Sequence, residues 1–402
     1  MRIVILGNGF AGVSALETVL QHRAAARVTL ISAEDHGFYS PASLFAYLEG
    51  RVSRSNLFLR DRESYSEAGI QALFGRKAIR LDVAQKAVHL EDGTQVPYDR
   101  LLIATGAATA PLGVPGGTHR GVFKLDTLAD AEAILAHGGR RVVVAGAGRI
   151  GVELAAVLRE GGAQVTLVEI APAILPGVFD PEVIGLILDR LWKHGVQVYL
   201  EERIVEICGN PVESVRTDRR TLPCDTVVVA IGRRPNVGFV DGGIRLGETG
   251  GIWVGEHLRA SEDVYAAGDC AETADFLGRR ALNAVIPKAV ETGRLAALNM
   301  LGYPTPYQGS VNANVLLVFG RAFFSIGLME GERVRRSVGG RLHLFYVLPG
   351  GRLVGAQFAG EVPEAAQALS AVRRGIQMAG EFRFDAVRRR LFLPAVYPSP
   401  PR

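Results

Sequence analysis

Near its amino terminus the chain reads Arg2-Ile3-Val4-Ile5-Leu6-Gly7-Asn8-Gly9-Phe10-Ala11-Gly12. Residues 2–6 form an almost unbroken apolar run, which is typical of a strand covered on both faces of a parallel sheet. A glycine turn of the pattern GxGxxG follows, and residues 13–21 have helical composition. Between a strand and a helix, this turn predicts a site for the pyrophosphate of a dinucleotide. Gly7 permits the tight turn, Gly9 lets the phosphates approach, and Gly12 lets helix and strand pack closely.

The same arrangement returns after residue 140. Arg141–Ala145 is a predicted strand, residues 152–160 form a predicted helix, and Gln164–Glu169 is the next predicted strand; between the first strand and the helix lies the turn Gly146-Ala147-Gly148-Arg149-Ile150-Gly151. Residues 98–106 and 224–232 also share a layout, and each follows a predicted hairpin or meander. The sequence therefore predicts an internal duplication of a dinucleotide-binding unit.

An acidic residue after the second strand of such a unit indicates which nucleotide binds. In the second copy Glu169 ends the strand, where a carboxylate hydrogen-bonds the ribose hydroxyls and repels a 2′-phosphate. No basic residue follows closely, so the pattern favours NADH over NADPH. In the first copy the strand ends at Ser32, and we assign the ribose contact to Glu34. Asp35 is the other acidic residue near that strand end, and the alternative for Glu169 is a glutamate that is only solvated at the end of its strand.

A third region begins near residue 303, after a proline-marked linker. Its strand-like runs are Val315–Phe319, Arg341–Val347 and Leu353–Phe358, and a predicted helix covers residues 363–378. The predicted fold class is α/β, with two Rossmann-like units and a small C-terminal α/β domain.

Composition excludes several classes of protein. Hydrophobic residues make up 48% of the chain and charged residues 21%, which a disordered chain would not have. Three cysteines without a CxxC pair exclude a disulfide framework and a zinc or iron–sulfur site, and we predict no metal site. No apolar run reaches the roughly 18–20 residues of a membrane span. With no signal-peptide layout, the sequence predicts a cytoplasmic protein.

Taken together, the motifs resemble the FAD-dependent pyridine nucleotide–disulfide oxidoreductase superfamily. The resemblance rests on residues 7–12, Ala104-Thr105-Gly106, residues 146–151 with Glu153, Ala230–Asn236, and Val264–Asp269. It implies two interleaved dinucleotide-binding domains, each with three layers in the order β, β, α. Residues 1–108 and 238–302 would bind FAD, and residues 109–237 would bind NAD(H). It also implies that residues 303–402 form a dimerisation domain.

The resemblance further implies that Asp269 hydrogen-bonds the ribityl chain of the flavin, that Thr105-Gly106 lies along the FAD, and that Glu153 lies beside the nicotinamide. We assign no catalytic acid or base. The predicted cofactor-binding residues are, for FAD, Gly7, Gly9, Phe10, Ala11, Gly12, Glu34, Thr105, Gly106, Gly268 and Asp269, and, for NAD(H), Gly146, Gly148, Arg149, Ile150, Gly151, Glu153, Glu169 and Gly232.

Within the superfamily the chain is similar to the branch of rubredoxin reductases, the flavin module of nitrite reductase, NADH oxidases and coenzyme A disulfide reductases. Residues 38–41 and 47–50 follow that branch's pattern. However, Pro41-Ala42-Ser43 stands where thiol-dependent members carry a redox cysteine, and Arg149 stands at an often aromatic position. Cys270 would lie near the flavin by analogy, either as a redox group or as a buried packing residue.

Three functions are compatible with these features. The first is an NADH-dependent reductase of a redox protein, such as a rubredoxin or ferredoxin, or of a redox complex. The second is a small-acceptor enzyme, namely an NADH oxidase, a quinone reductase or a sulfur-compound reductase. The third is an NADH-responsive flavoprotein that changes partners when it is reduced and is not primarily an enzyme.

The charge of the chain is concentrated at one end. Residues 371–402 carry a net charge of +5, from seven arginines and two acidic residues, whereas the rest of the chain sums to −1. A short amphipathic helix is predicted for Arg383–Leu393, with Arg388, Arg389 and Arg390 on its polar side. These arginines are an ordinary solvated face, a docking surface for an acidic electron carrier, or a contact with anionic lipid.

Overall fold

The computed structural model describes residues 1–22, 25–360 and 364–377. Of these, residues 1–312 and 316–320 form one compact unit, and residues 313–315 with the described residues from 321 onward form another. The described chain contains eight α-helices, numbered here in chain order: α1 (Phe10–Gln21), α2 (Ser43–Leu48), α3 (Glu63–Glu67), α4 (Leu128–His137), α5 (Arg149–Glu160), α6 (Pro181–Lys193), α7 (Ile286–Met300) and α8 (Glu364–Arg373).

The first unit contains a parallel sheet built around the amino-terminal strand. Its five strands are, in spatial order, Val264–Ala266, Arg100–Ile103, Arg2–Leu6, Arg27–Ile31 and Gln71–Leu73. Residues 3–6 are at most 1% exposed, as the apolar run predicts. The backbones of helices α1 and α7 are in direct contact at Gly293. A Cβ added to this residue would lie 2.1 Å from the carbonyl oxygen of Ala11.

A second parallel sheet in the same unit repeats this plan. Its strands are, in order, Val122–Lys124, Thr226–Val229, Arg141–Ala145, Gln164–Val168 and Gln197–Tyr199. In both sheets a glycine turn leaves the central strand and enters a helix, α1 in one and α5 in the other. The predicted pair of Rossmann-like sheets is confirmed.

Antiparallel sheets add a further layer to each parallel sheet. The meander Ala78–Asp82, Ala87–Leu90 and Gln95–Pro97 shares a hydrophobic core with the first sheet. The meander Ile204–Cys208, Ser214–Thr217 and Thr221–Pro223 shares one with the second. Smaller sheets pair Ala107–Thr109 with Arg233–Pro235, Phe38–Tyr39 with Phe58–Arg60, and Ile252–Trp253 with Ala271–Ala274 and Arg280–Ala281.

The second unit is built on a five-stranded sheet, against which α8 packs. The strand order of this sheet is Ala313–Val318, of which residues 313–315 belong to the second unit, then Arg321–Gly327, Leu353–Ala359, Arg341–Val347 and Glu332–Val338. The sequence predicted three of these strands and missed Arg321–Gly327 and Glu332–Val338. Glu332–Val338 is a mostly exposed edge strand that carries three arginines. It therefore lacks the alternation of apolar and polar residues by which a strand is recognised in a sequence. The basic segment from residue 378 onward, including the helix predicted for Arg383–Leu393, lies outside the described residues.

Candidate cofactor-binding site

The three glycines of the first glycine turn have two different roles. Gly7 has a φ of +114°, and a Cβ there would lie 2.1 Å from the Ala104 carbonyl oxygen. A Cβ on Gly12 would lie 2.0 Å from the carbonyl oxygen of Gly7. Gly9 differs, because a Cβ there would meet no atom of the described chain within 4 Å. Two glycines therefore serve packing, and the third leaves open space in front of the turn.

Helix α1 presents its amino terminus to that space. It begins at Phe10 with Gly9 as N-cap, and among the described residues no side chain caps it and no acid occupies its first turn. The sequence predicted the start at Val13, but the last three residues of the motif are already helical. The free N–H groups and the dipole of the first turn suit a phosphate. Phe10 packs edge-on against Phe38, with ring centroids 5.1 Å apart, and Ala11 is buried.

The other residues assigned to FAD lie at the same edge of the first sheet. Thr105 and Gly106 follow the strand Arg100–Ile103, and Gly268 and Asp269 follow Val264–Ala266. The structure therefore brings three loops together at the carboxyl ends of adjacent parallel strands, where α/β sheets bind ligands. The motif Val264–Asp269 is a strand only as far as Ala266, because Gly268–Cys270 is a 3-10 turn.

Glu34 follows the strand Arg27–Ile31 at the same edge of the first sheet, and its carboxylate has partners within the protein. Its Oε2 accepts a hydrogen bond of 3.0 Å from the Tyr39 hydroxyl and lies 3.1 Å from Nε2 of His36. The Tyr39 hydroxyl in turn accepts the N–H of Leu128 at 3.0 Å, at the start of α4. The carboxylate is thus positioned by a network that joins the first half of the unit to the second.

The second glycine turn has the geometry of the first. Gly146 has a φ of +101°, and its Cβ would lie 2.5 Å from the Ala230 carbonyl oxygen, whereas a Cβ on Gly151 would lie 2.0 Å from the oxygen of Gly146. A Cβ on Gly148 would meet no described atom within 4 Å. Helix α5 begins at Arg149, and the described residues supply no side-chain cap or first-turn acid. Ile150 lies half-buried in that first turn.

Glu169 is held against this second turn. Its Oε2 accepts the N–H of Ala147 at 2.6 Å, and its Oε1 accepts the N–H of Ala171 at 2.9 Å. The carboxylate is therefore fixed at the carboxyl end of the strand that neighbours the turn. Gly232 follows the strand Thr226–Val229 with a φ of +105° and lies at the same sheet edge.

A cluster of charges lies where the two halves of the unit meet. Arg149 at the start of α5 donates from Nη2 to the carbonyl oxygen of Ala284, 3.4 Å away, just before α7. One turn further along α5, burial raises the pKa of Glu153 to about 7; Arg149 opposes this rise and Glu49 adds to it. Burial also raises the pKa of Asp269, while Arg233, Lys288 and Arg149 oppose that rise. Arg149 therefore interacts with one acid from each half.

Sequence reasoning missed two contributors to the site. Lys288, on the first turn of α7, is fully buried, and its Nζ donates to the carbonyl oxygens of Gly268 and Ala271. Tyr65 is also fully buried and donates 2.6 Å to Oδ1 of Asn8, 57 positions away. Lys288 follows a proline at the start of a helix, a position where a lysine is normally exposed to solvent. No local sequence pattern links Tyr65 to the glycine turn.

The three cysteines all lie within the described residues and are free. Cys270 is fully buried, its Sγ lies 3.4 Å from the carbonyl oxygen of Ile103, and burial raises the pKa of its thiol. Burial likewise raises the pKa of Cys224 to about 12. A thiol with a raised pKa is a poor nucleophile. In the part of the chain that the structure describes, no cluster of three potential metal ligands occurs, and no helix has the length and apolar character to cross a membrane.

The two turns fit dinucleotides by their shape and by their donors. Each offers uncapped N–H groups at a helix start and a central glycine that faces open space, and each lies at the carboxyl edge of a parallel sheet. These are the features that a pyrophosphate requires. The chemistry of the chain therefore accommodates two dinucleotides in the first unit.

Comparison with known proteins agrees with this geometry. Residues 1–293 match the family described as pyridine nucleotide-disulphide oxidoreductase. The chain is 32% identical to an NADH oxidase of Methanocaldococcus jannaschii, over 78% of this chain and 73% of that one. It is 33% identical to the ferredoxin reductase subunit of 5,5'-dehydrodivanillate O-demethylase of a Sphingobium species, over 76% of each chain.

A solved structure shares the fold over almost the whole length. The chain superposes on the covalent putidaredoxin reductase–putidaredoxin complex with a TM-score of 0.86 and 26% identity, covering 94% of each chain. These matches confirm the predicted family. With it they confirm the predicted enzyme class, an oxidoreductase, and the predicted cofactors, FAD and NAD(H).

Proposed function

The chain belongs to the pyridine nucleotide–disulphide oxidoreductase family, and we propose that it passes electrons from NADH through FAD to a redox protein, of the rubredoxin or ferredoxin kind, or to a redox complex, without an active-site disulfide. The observation that carries this proposal is the position of Arg149. It starts the helix of the second glycine turn, and it contacts Ala284 and interacts with Asp269 of the first half. A dinucleotide on the second turn thus extends toward one held by the first.

Residues 1–108 and 238–302 hold FAD in this proposal, and residues 109–237 hold NAD(H). The first glycine turn with Thr105 and Gly106 receives the pyrophosphate and the chain of FAD, and Asp269 accepts hydrogen bonds from its hydroxyl groups. Bound FAD supplies the redox chemistry, since it takes a hydride from NADH and releases electrons singly or in pairs. The protein contributes binding, orientation and a defined electrostatic environment.

Two side chains of α5 act on the nicotinamide end of NADH. Glu153 is half-buried there, and its ionised form stabilises the positive charge that the nicotinamide ring gains when it loses a hydride. Arg149 holds Glu153 partly in that ionised form by opposing the effect of burial.

Glu169 selects the nucleotide. Two backbone N–H groups fix its carboxylate beside the second glycine turn, so it cannot turn away from a 2′-phosphate without losing both hydrogen bonds. Its remaining lone pairs accept the ribose hydroxyls of NADH. We therefore propose that NADH is the preferred donor.

The acceptor is a protein because the chain has no thiol relay at the expected position. Pro41-Ala42-Ser43 stands there, and Cys270 is buried within the backbone of the first sheet. Similarity to a ferredoxin reductase subunit and to a reductase solved with putidaredoxin supports a protein acceptor. The basic residues Arg388, Arg389 and Arg390 suit an acidic carrier and would act mainly on the rate of encounter.

The test is anaerobic reduction of the flavin by NADH, followed by transfer to rubredoxin, to ferredoxin, or to potassium ferricyanide as a small acceptor. We expect at least tenfold faster turnover with one of the carriers than with oxygen alone, and a carrier rate that falls as salt rises. Replacing Arg388, Arg389 and Arg390 together with glutamine flattens that salt dependence and leaves reduction by NADH unchanged. An unchanged salt profile in the triple variant would exclude these arginines as the docking surface.

Similarity to the NADH oxidase of M. jannaschii favours one second candidate, a small-acceptor oxidase. Rapid turnover with oxygen alone, and no gain from either carrier, would select it. Slow reoxidation by every acceptor, together with a change in association upon reduction, would instead select a flavoprotein that responds to NADH.

We also propose that residues 303–402 pair two copies of the chain. Support comes from the similarity to the family and from exposed apolar side chains on the two edge strands of the sheet in the second unit, Val315 at 52% and Val338 at 51%. Light scattering after size-exclusion chromatography should give twice the 43.1 kDa of one chain. A value of one chain mass at micromolar concentration would contradict the dimer.

A further inference from the structure

Lys288 is a charged side chain in the interior of the FAD half of the first unit. It lies on the first turn of α7 and is 0% exposed. Its Nζ donates to the carbonyl oxygens of Gly268, at 3.1 Å, and Ala271, at 3.0 Å. These two carbonyls flank Asp269 and Cys270. A buried ammonium is costly unless an opposite charge compensates it, so the group calls for a counter-charge.

Asp269 supplies that counter-charge. Burial lowers the pKa of Lys288, and Asp269 opposes that fall. Lys288 in turn opposes the rise that burial causes in the pKa of Asp269. Arg233 and Arg149 act on Asp269 in the same direction, but both side chains are partly exposed, so solvent screens them more. Of these three cations, Lys288 is the one whose side chain is fully buried.

A neutral side chain already anchors the same turn from the same helix. Thr292, one helical turn after Lys288, accepts the N–H of Gly268 at 3.0 Å and donates to the carbonyl oxygen of Lys288 at 2.7 Å. Anchoring alone therefore does not require a charge at position 288. Thr292 also provides a matched control, since removing its hydroxyl loosens the turn without changing the charge.

We propose that Lys288 is a positioning residue of the FAD site, which holds the turn from Gly268 to Ala271 and supplies the buried positive charge that keeps the Asp269 carboxylate ionised where it meets the cofactor. This inference rests on the proposed binding of FAD at the first glycine turn. An ionised carboxylate accepts several hydrogen bonds from the hydroxyl groups of a ribityl chain, whereas a protonated one accepts fewer. A buried positive charge also favours the addition of electrons to a bound flavin.

The experiment compares the holoprotein with Lys288→Met, Asp269→Asn, the double variant and Thr292→Val. FAD release upon dilution gives the dissociation constant, and equilibration with a reference dye gives the equilibrium constant for two-electron reduction. We expect Lys288→Met to weaken FAD binding about tenfold and to lower that equilibrium constant about tenfold, a shift of about 30 mV. Thr292→Val should weaken FAD binding and leave the equilibrium constant within twofold of the wild type.

The double variant measures the coupling between the two charges. Once Asp269 is asparagine, Lys288→Met should weaken FAD binding several times less than it does in the wild type, because only its hold on the turn remains to be lost. Additive effects of the two substitutions would overturn the proposal. So would a Lys288→Met protein that resembles Thr292→Val, with weaker FAD binding and an unchanged equilibrium constant.

Lys288→Met alone can fail to fold, because it leaves Asp269 without its buried partner. In that case the double variant must recover folded protein, and a double variant no more stable than Lys288→Met would overturn the proposal. A wild-type protein that binds no FAD would refute the proposed function itself. Wild-type binding of FAD, together with an unaffected Lys288→Met variant, would refute only the role of Lys288.

Discussion

Glu153 carries a carboxyl group whose pKa, about 7, lies within the range of physiological pH. Burial is the main cause, and the nearby Glu49 carboxylate adds to it. The group is protonated below pH 7 and ionised above it, and in the proposed mechanism the ionised form favours hydride loss from NADH. We expect flavin reduction by NADH, followed by anaerobic stopped-flow, to rise severalfold with pH through about 7. Glu153→Gln should remove this inflection.

Glu49→Gln provides the directional control for Glu153. It removes the like charge, so the inflection should move to lower pH, whereas Arg149→Gln should move it to higher pH.

The free energy of unfolding gives a second prediction for Glu153, with a defined sign. Because burial raises the pKa of Glu153 above its unfolded value of 4.5, the fold loses stability as pH rises from about 4.5, where the unfolded state ionises, to about 7, where the folded state does. Glu153→Gln should therefore raise the free energy of unfolding by about 3 kcal/mol at pH 8 and have little effect at pH 4.

Glu169 gives a prediction about the choice of nucleotide. Its carboxylate is fixed by the N–H groups of Ala147 and Ala171, so the negative charge stays beside the second glycine turn. Repulsion of about 1.4 kcal/mol corresponds to a tenfold preference for NADH over NADPH in kcat/KM. Glu169→Arg should narrow or reverse that preference, and Glu169→Gln should reduce it less. Equal use of both nucleotides by the wild type would contradict the assignment.

In the second glycine turn, one glycine is needed for nucleotide binding and another for the stability of the fold. A methyl group on Gly148 meets no described atom, whereas one on Gly151 would lie 2.0 Å from the carbonyl oxygen of Gly146. We expect Gly148→Ala to raise the KM for NADH about tenfold with the melting temperature almost unchanged, since the methyl group enters the space of the pyrophosphate. Gly151→Ala should instead lower the free energy of unfolding by about 1–3 kcal/mol, the usual cost of overpacking. Thermal melts of both variants, with NADH titrations, would test this; equal loss of stability in both would contradict it.

Across the whole molecule, the parts that were predictable from sequence are those with a local pattern. The strands Arg2–Leu6 and Arg141–Ala145 have the predicted bounds, because their apolar runs end at glycines that must turn. The helix starts were placed three residues late, since the motif's own last residues form the first turn. In the second unit, the strand Arg321–Gly327 was missed. It begins two residues after the preceding strand's predicted end, so the two looked like one interrupted run.

The site was predictable only as far as its motifs extend. The glycines and the loops after neighbouring strands meet at the predicted sheet edges. The contacts of Lys288 with Gly268 and Ala271, of Tyr65 with Asn8, and of Tyr39 with Leu128 join residues that are 17 or more positions apart. Such contacts depend on tertiary packing, because no periodicity or spacing in the sequence encodes them.

The electron capacity of the whole chain follows from its cysteines. A relative with a redox disulfide stores two electrons on the disulfide and two on the flavin, and it requires two equivalents of NADH for full reduction. Here the three cysteines are free, none occupies positions 41–43, and the thiols of Cys224 and Cys270 are buried with raised pKa values. An anaerobic titration should therefore bleach the flavin with one equivalent of NADH per FAD. Cys270→Ser should require the same amount, because burial keeps that thiol out of the redox chemistry. Consumption of a second equivalent by the wild type, lost in Cys270→Ser, would identify Cys270 as a redox group and overturn the direct transfer of electrons from flavin to carrier.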